Sequence, residues 1–377
     1  MKLSRLQSID ALRGLVMIIM ALDHIRDFFH FDSVLHDPTN LENSSPVLFM
    51  TRWITHFCAP TFIFLTGLSA FLYAQKHTRN QLSRFLLTRG LWLIFLEVTL
   101  ISFGWFFNLR LHDPILMVIW AIGISMVFLS LMVRLPYRVI AGVGLAIVFL
   151  HNFADGLRFV PGSSMSSVWT LLHVPGRIVI SENLAIMVLY PVLPYFGLIC
   201  LGYAFGRVFT PAVDPVRRQR ILFFTGLSAI ILFIALRFLN FGDPGRWSQQ
   251  DSLINTMLSF IDCNKYPVSL AFALMTLGPS ILFLAFCGNI QNKFTAVLAI
   301  FGKVPMFYYI LHIYLIHAIA LVTEGSNPAS FLHVNPKFHL WTVYIIWMGV
   351  VLALYLPCKW YGKYKAAHHE KKWLSYL

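Results

Sequence analysis

Apolar runs of about 20 residues recur along the whole chain, and few charged residues interrupt them. A helix of about 20 apolar residues crosses a bilayer core of about 30 Å and satisfies its backbone hydrogen bonds internally. Charged residues make up only 12% of the chain, against about 25% in soluble domains, so they are too few to cover a water-facing surface. These features predict an all-α polytopic membrane protein with a single domain over residues 1–377.

The apolar runs predict about ten transmembrane helices. They are expected at residues 10–30, 47–73, 84–108, 113–133, 138–154, 183–205, 219–239, 267–287, 296–322 and 338–357. Residues 155–182 and 240–266 are expected to form loops on the outer side of the membrane.

The basic residues support this arrangement through the positive-inside rule, which concentrates Lys and Arg in cytoplasmic loops. With a cytoplasmic N-terminus and ten spans, about 20 of the 29 Lys and Arg residues lie inside. We therefore predict that both termini are cytoplasmic. The same rule accounts for the net charge of +13, so the expected partner is the lipid bilayer and no nucleic-acid partner is predicted.

Ionisable side chains at membrane depth are functional candidates by default, because burying a charge in hydrocarbon is costly. Arg13 and His24 are eleven residues apart in the first helix. That separation returns to nearly the same face, about 16 Å further along the axis. Asp27 is three residues after His24 and can share its face. We predict that His24 is a general base and that Asp27 orients its ring.

Other spans carry polar residues at a similar depth. The helix rise puts His24, Glu97 and His312 at one level, in the outer half of the membrane. His56 enters from the outer side and is a further catalytic candidate. The alternatives are that a histidine at a helix end is interfacial, and that Glu97 pairs with a neighbouring helix.

Three segments carry a resemblance to a known family. They are Ser8-Ile9-Asp10-Ala11-Leu12-Arg13-Gly14 with Ala21-Leu22-Asp23-His24, Arg52 to Gly67 (RWITHFCAPTFIFLTG), and Val304 to His312 (VPMFYYILH). They resemble the heparan-α-glucosaminide N-acetyltransferase-like family of bacterial membrane proteins, within a wider group of transmembrane acyltransferases. Arg13-x10-His24 also matches the spacing that marks the first helix of related O-acyltransferases. In the family's heparan-modifying members the catalytic histidine aligns later, beside His36, so the choice between His24 and His36 stays open.

The resemblance implies transfer of an acyl group, with acetyl-CoA the expected donor, to a carbohydrate or glycoconjugate acceptor. It also implies a location in the bacterial inner membrane, and it leaves a homodimer open. The donor phosphates are expected at the basic inner face. The candidates for binding them are Arg13, Arg79, Arg84, Arg89, Arg217 and Arg218. The alternative for any one of these is that it only sets the orientation of the chain.

No metal site is predicted, because the five cysteines are scattered and no Cys/His cluster is visible in the sequence. Two competing functions remain. A proton-coupled transporter or flippase would use the intramembrane His, Asp and Glu residues as a relay, although no internal repeat is visible. A haem-binding electron carrier would need His24 and His312 as axial ligands.

Overall fold

The computed structural model describes residues 7–31, 37–288, 292–327, 332–368, 370–371 and 374. Its helices are α1 (Gln7–Phe29), α2 (Pro46–Thr55), α3 (Cys58–Ala74), α4 (Arg79–Leu96), α5 (Ser102–Phe106), α6 (Val118–Met132), α7 (Tyr137–Leu150), α8 (Ser164–Leu172), α9 (Val192–Phe205), α10 (Pro215–Phe238), α11 (Leu253–Ile261), α12 (Leu270–Cys287), α13 (Lys293–Lys303), α14 (Pro305–Glu324) and α15 (Leu340–Ala367). A π-helical turn, Glu97–Ile101, joins α4 to α5.

The protein is a mostly helical, multi-pass membrane protein. Eight helical stretches in the described residues are long and apolar enough to cross a membrane: Pro46–Ala74, Arg79–Phe106, Tyr137–Ala154, Val192–Phe209, Pro215–Phe238, Leu270–Cys287, Pro305–Glu324 and Leu340–Ala367. Two more of the ten predicted segments are helical but differ in kind. α1 carries several charges, and α6 has only 15 residues.

Two predicted spans begin or break at prolines. The span expected at 183–205 becomes helical only from Val192, directly after Pro191. The span expected at 296–322 divides into α13 and α14, and Pro305 occupies the first turn of α14. Proline lacks a backbone N–H and has a fixed φ, so it starts a helix readily but cannot continue one without breaking a hydrogen bond.

The all-α prediction is wrong in one region, where three strands form a small sheet. The strands are β1 (Ile115–Leu116), β2 (Gly176–Ser181) and β3 (Leu184–Val188), in the order β1-β3-β2. β3 pairs antiparallel with β2 and parallel with β1. Ile178 is the buried residue of β2 and packs with Leu116 and Val188 in a small apolar cluster, whereas most of the strand is exposed.

Glycines allow some helices to meet backbone to backbone. A Cβ atom on Gly14 of α1 would lie 1.8 Å from the carbonyl oxygen of Leu298, and one on Gly302 would lie 1.8 Å from that of Asp10. Such close crossings are typical of membrane helices, whose association depends on packing rather than on the hydrophobic effect. The crossing fixes the position of α1 against α13, at the end where Arg13 and Lys303 lie.

Candidate active site

One cavity of about 420 Å³ follows α1 between Arg13 and His24. The two residues are separated by about 16 Å of helix rise. The walls come mainly from α1, α3, α4, α6 and the start of α14, and most of the lining side chains between the two ends are apolar. The apolar residues include Met17, Met20, Phe62, Phe85, Leu86, Leu93, Ile119, Ile122, Met126 and Met306.

Four cations line one end of this cavity, which we call the basic mouth: Arg13, Arg89, Lys303 and Lys365. They come from α1, α4, α13 and α15, so four separate segments converge there. Lys303 is exposed, whereas Arg13 is partly buried. A convergence of cations from separate segments suits a polyanionic ligand.

Arg13 is held in place by its neighbours. Its Nη1 donates to Oδ1 of Asp10 at 3.2 Å and to the carbonyl oxygen of Gly302 at 3.1 Å, and its Nη2 donates to Oγ of Ser69 at 3.0 Å. The ion pair with Asp10 is the structural alternative that the i, i+3 spacing suggests. Arg13 nevertheless lines the cavity.

The opposite end of the cavity, which we call the polar end, is lined by Asp23, His24, Thr55, Tyr190 and Lys265. Here the carboxylate is fully engaged. Asp23 accepts from Arg52 at 2.6 and 2.7 Å and from Thr55 Oγ1 at 2.9 Å, and it pairs with Arg26 at 2.8 Å. Two cations and a hydroxyl group thus offset the cost of removing the Asp23 carboxylate from water.

His24 forms a pair with His312 at the polar end. Nδ1 of His24 lies 2.8 Å from Nε2 of His312, and the rings stack with centroids 5.0 Å apart. Nδ1 of His312 lies 2.9 Å from the carbonyl oxygen of Tyr308. The predicted common depth of the two histidines is thus matched by direct contact.

The carbonyl of Tyr308 decides the protonation of this chain of hydrogen bonds. A carbonyl can only accept, so Nδ1 of His312 donates to it, and Nε2 of neutral His312 is left as an acceptor. Nδ1 of His24 then donates to that nitrogen. The proton-free nitrogen of His24 is Nε2, on a side chain that lines the cavity. His24 is therefore held in the tautomer that a general base needs.

The expected contact between Asp27 and His24 is wrong. Oδ1 of Asp27 accepts from Nη2 of Arg26 at 2.5 Å, and the ring nitrogen of His24 bonds to His312 instead. Spacing on one helix brings side chains near each other but does not choose their partners. The adjacent guanidinium is the stronger partner for a carboxylate.

Glu97 does not line the cavity within the described residues. It is fully buried and begins the π-helical turn, where Oε2 accepts from the backbone N–H of Trp120 at 2.8 Å. The N-cap residue of α6, Met117, has no side-chain hydrogen bond. Glu97 therefore caps α6 from a neighbouring helix, and this agrees with the alternative in which it pairs across helices.

The remaining histidine candidates lie elsewhere. His56 is buried, with its ring centroid 5.1 Å from that of Phe272, and is not among the described residues that line the cavity. His36 lies outside the described residues. Among the candidates that the structure describes, His24 and His312 are the two brought into direct contact.

The arginines expected to bind the donor separate into two groups. Arg13 and Arg89 line the cavity. Arg79, Arg84 and Arg217 are exposed and, in the described part of the chain, lie apart from its lining. These three arginines therefore do not share the described cavity with Arg13 and Arg89, and their part in phosphate binding stays a prediction.

Arg218 is hydrogen-bonded to the backbone close to its own helix. Its guanidinium donates to the carbonyl oxygens of Val208, Thr210 and Val213 at 3.1, 3.4 and 3.1 Å. These bonds tie the start of α10 to the turn before it. These contacts give Arg218 a local structural role, and its part in donor binding stays a prediction.

Three lysines of the cavity were not predicted as site residues: Lys265, Lys303 and Lys365. They lie far apart in sequence and meet only in the folded chain. Lys303 stands two residues before Pro305, which divides α13 from α14. Recognising that break in the sequence would have drawn attention to it.

Lys265 is largely buried beside two tyrosines. Its ammonium lies 5.1 Å from the ring centroid of Tyr266, whose hydroxyl donates to that of Tyr190 at 3.2 Å. Burial acts to raise the pKa of Tyr266, but the positive charges of Lys265 and Arg52 outweigh it and hold that pKa below its usual value. The polar end is thus electropositive around its one paired carboxylate.

Residues 5–239, more than half of the chain, match the model of a family described as heparan-alpha-glucosaminide N-acetyltransferase, catalytic. No curated protein matches the chain. The matched segment contains α1, α3, α4 and α6, and hence His24, Arg13 and Arg89. It ends before Lys265, which lines the cavity, and before His312, which contacts His24.

Proposed function

Since the chain belongs to the heparan-alpha-glucosaminide N-acetyltransferase catalytic family, a family of membrane acyltransferases, we propose that it uses acyl-CoA, with acetyl-CoA the expected donor. The acceptor is an amine or hydroxyl group of a sugar or glycoconjugate. The observation that carries this proposal is the cavity itself, because it joins four cations at one end to the His24–His312 pair at the other.

The donor is recognised by charge at one end and by shape along the cavity. Arg89 and Lys303 supply charge for the phosphates, and Arg binds phosphate oxygens in a planar, bidentate manner. The thin pantetheine arm then follows the apolar walls towards His24. No metal is needed in this scheme.

The reaction uses the free nitrogen of His24. Nε2 takes the proton of the acceptor amine or hydroxyl as that group attacks the thioester carbonyl carbon. The carbon–sulfur bond then breaks, and the protonated His24 returns the proton to the departing CoA sulfur. His312 positions the ring throughout. Lys265 supplies positive charge where the carbonyl oxygen becomes anionic.

Sidedness follows from the basic mouth. The proposal puts this end at the cytoplasmic face of a bacterial inner membrane, where acyl-CoA is made and where Lys and Arg concentrate. Arg13, near the start of α1, and Lys365, near the end of α15, line the same mouth, so both ends of the chain fall on that side. A periplasm-active reporter fused to the C-terminus that gave a signal would contradict this orientation.

The function is tested with purified protein in lipid nanodiscs, acetyl-CoA and a panel of amino and neutral sugars. We expect release of free CoA thiol together with a sugar product heavier by one acetyl group. The matched variants are His24→Ala and His56→Ala, of which only the first should abolish transfer. Uptake of a panel sugar into proteoliposomes without any transfer from acetyl-CoA would instead favour the transporter.

A further inference from the structure

A second cluster of ligand-type side chains lies away from the cavity. His151 follows α7, Asp155 follows the 3-10 turn after it, and His173 ends α8. Each offers one ligand atom, and these atoms all lie within 4.8 Å of one another. None of the three lines the described cavity, so the acyl-transfer proposal gives this cluster no role.

The cluster is held by direct contacts. Nε2 of His173 lies 2.7 Å from Oδ1 of Asp155, and the rings of His151 and His173 meet edge to face with centroids 5.5 Å apart. The other carboxylate oxygen of Asp155 accepts from Nδ2 of Asn152 at 2.9 Å. Oδ1 of Asn152 in turn accepts from the backbone N–H of Leu270 at 2.9 Å. An outer layer of hydrogen bonds that orients a carboxylate is characteristic of metal sites.

Burial of these polar side chains is unfavourable where they lack hydrogen-bond partners. His173 is fully buried and His151 is 6% exposed, and Nδ1 of each has no hydrogen-bond partner among the described residues. Buried polar atoms are nearly always satisfied, so the orphaned Nδ1 of His151 beside the His173–Asp155 pair calls for an explanation. A simple His173–Asp155 pair would explain two of the three residues and leave His151 without a purpose.

We propose that His151, Asp155 and His173 bind a divalent transition-metal ion of the zinc type. Two imidazoles and one carboxylate are the donor set of three-ligand zinc sites, with water in the fourth position. Hard cations such as Mg²⁺ prefer all-oxygen sites, so two imidazoles select against them.

The geometry is close to what such an ion requires. Metal–nitrogen bonds of about 2.0–2.1 Å in a tetrahedron place ligand atoms about 3.3 Å apart. The observed separations, 2.7 Å for His173 and Asp155 and at most 4.8 Å for the other pairs, bracket this value. The ion would link the end of α7 to the end of α8. Asn152, which bonds to Asp155 and to the backbone of Leu270, would connect both to the start of α12.

The sequence predicts no metal site because these three ligands are not closely spaced along the chain. His173 is separated from the other two residues by a loop and all of α8. His151 and Asp155 alone are an i, i+4 pair of a common kind, with no sign of a third ligand. Only the folded chain brings the third ligand to them.

The test uses protein with a non-histidine tag, stripped with chelator and reloaded with Zn²⁺. We expect one tightly bound zinc per chain by elemental analysis, a rise in Tm with Zn²⁺ but not with Mg²⁺, and the visible absorption of a tetrahedral site with Co²⁺. His151→Ala is the main variant, because no hydrogen bond among the described residues holds that ring. Its zinc affinity should fall more than about 100-fold. The matched control is His112→Ala, an exposed loop histidine.

Two results would overturn the proposal: stripped protein that takes up no stoichiometric Zn²⁺, or His151→Ala protein that binds zinc as tightly as the parent. His151→Asp, which keeps a ligand atom, should retain binding and so guards against loss through misfolding. These readouts do not require turnover, so the metal site and the acyl-transfer proposal can fail independently.

Discussion

The two ends of the cavity are built by different means. At the polar end the reactive groups are fixed by hydrogen bonds: His24 by His312, and His312 by the carbonyl of Tyr308. At the basic mouth Arg13 is bonded to Gly302 and Ser69, and the guanidinium of Arg89 lies 4.5 Å from the ring centroid of Phe85, whereas Lys303 is exposed. The polar end is suited to catalysis, which needs reacting atoms held in fixed positions. The basic mouth is suited to binding a charged ligand, which depends on the summed positive charge of several side chains.

The largest effect is expected from breaking the polar end. His24→Ala removes the base, and loss of general base catalysis usually costs about 10²–10⁴-fold in rate. We expect kcat to fall by this amount while KM for acetyl-CoA and acetyl-CoA binding stay unchanged, as measured by steady-state kinetics and calorimetry. His56→Ala is the control, because this buried histidine is not among the described residues that line the cavity. Near-normal turnover in His24→Ala would move the base elsewhere, with His36 the first residue to examine.

His312 should show a smaller effect of a positioning kind. His312→Leu removes the acceptor that selects the tautomer of His24, and we expect kcat to fall about 10²-fold with little change in KM. His312→Gln retains an acceptor oxygen and should recover part of the loss. Equal defects in the two variants would show that packing of the ring matters, rather than its hydrogen bond.

The basic mouth should respond in affinity rather than in rate. Hydrogen bonds to charged groups contribute about 1.5–3 kcal/mol when buried, and less in a site open to water. Arg89→Ala is therefore expected to raise KM for acetyl-CoA about tenfold, more at low salt than at high salt. Arg217→Ala, an exposed cation apart from the cavity, should leave KM unchanged. The reverse pattern would return donor binding to the cluster predicted from sequence.

The smallest effect on activity is expected at Glu97, which belongs to neither end. Loss of a helix cap costs about 0.5–2 kcal/mol. Glu97→Ala should therefore lower the Tm while kcat and KM per folded molecule stay near the parent values. A large fall in kcat with unchanged Tm would place this carboxylate in the chemistry after all.

Much of the helical arrangement could be predicted from sequence, because apolar runs of membrane length are a strong signal. The constant rise of a helix also predicted His24 and His312 at one level, and their rings are in contact. The choice of partner failed for Asp27, because Arg26 competes for its carboxylate at closer range. Lys265, a loop residue, was missed because no local periodicity records which distant segments meet.

The sheet was missed for a related reason. Its strands are short, and β2 carries an arginine within an otherwise apolar stretch, so the pattern is too brief to separate strand from loop. The apolar composition of residues 183–205 predicts a helix over the whole segment, although β3 occupies its first part. The proline before α9 was the signal that a helix could not begin earlier.

The glycine crossing of α1 and α13 has a consequence for the basic mouth. Where Gly14 and Gly302 meet, backbone lies against backbone, so neither position has room for a Cβ atom. A side chain at either position would push the two helices apart and displace Arg13 and Lys303, which lie beside the crossing and line the mouth. The spacing of these two cations is therefore set by two residues that have no side chain.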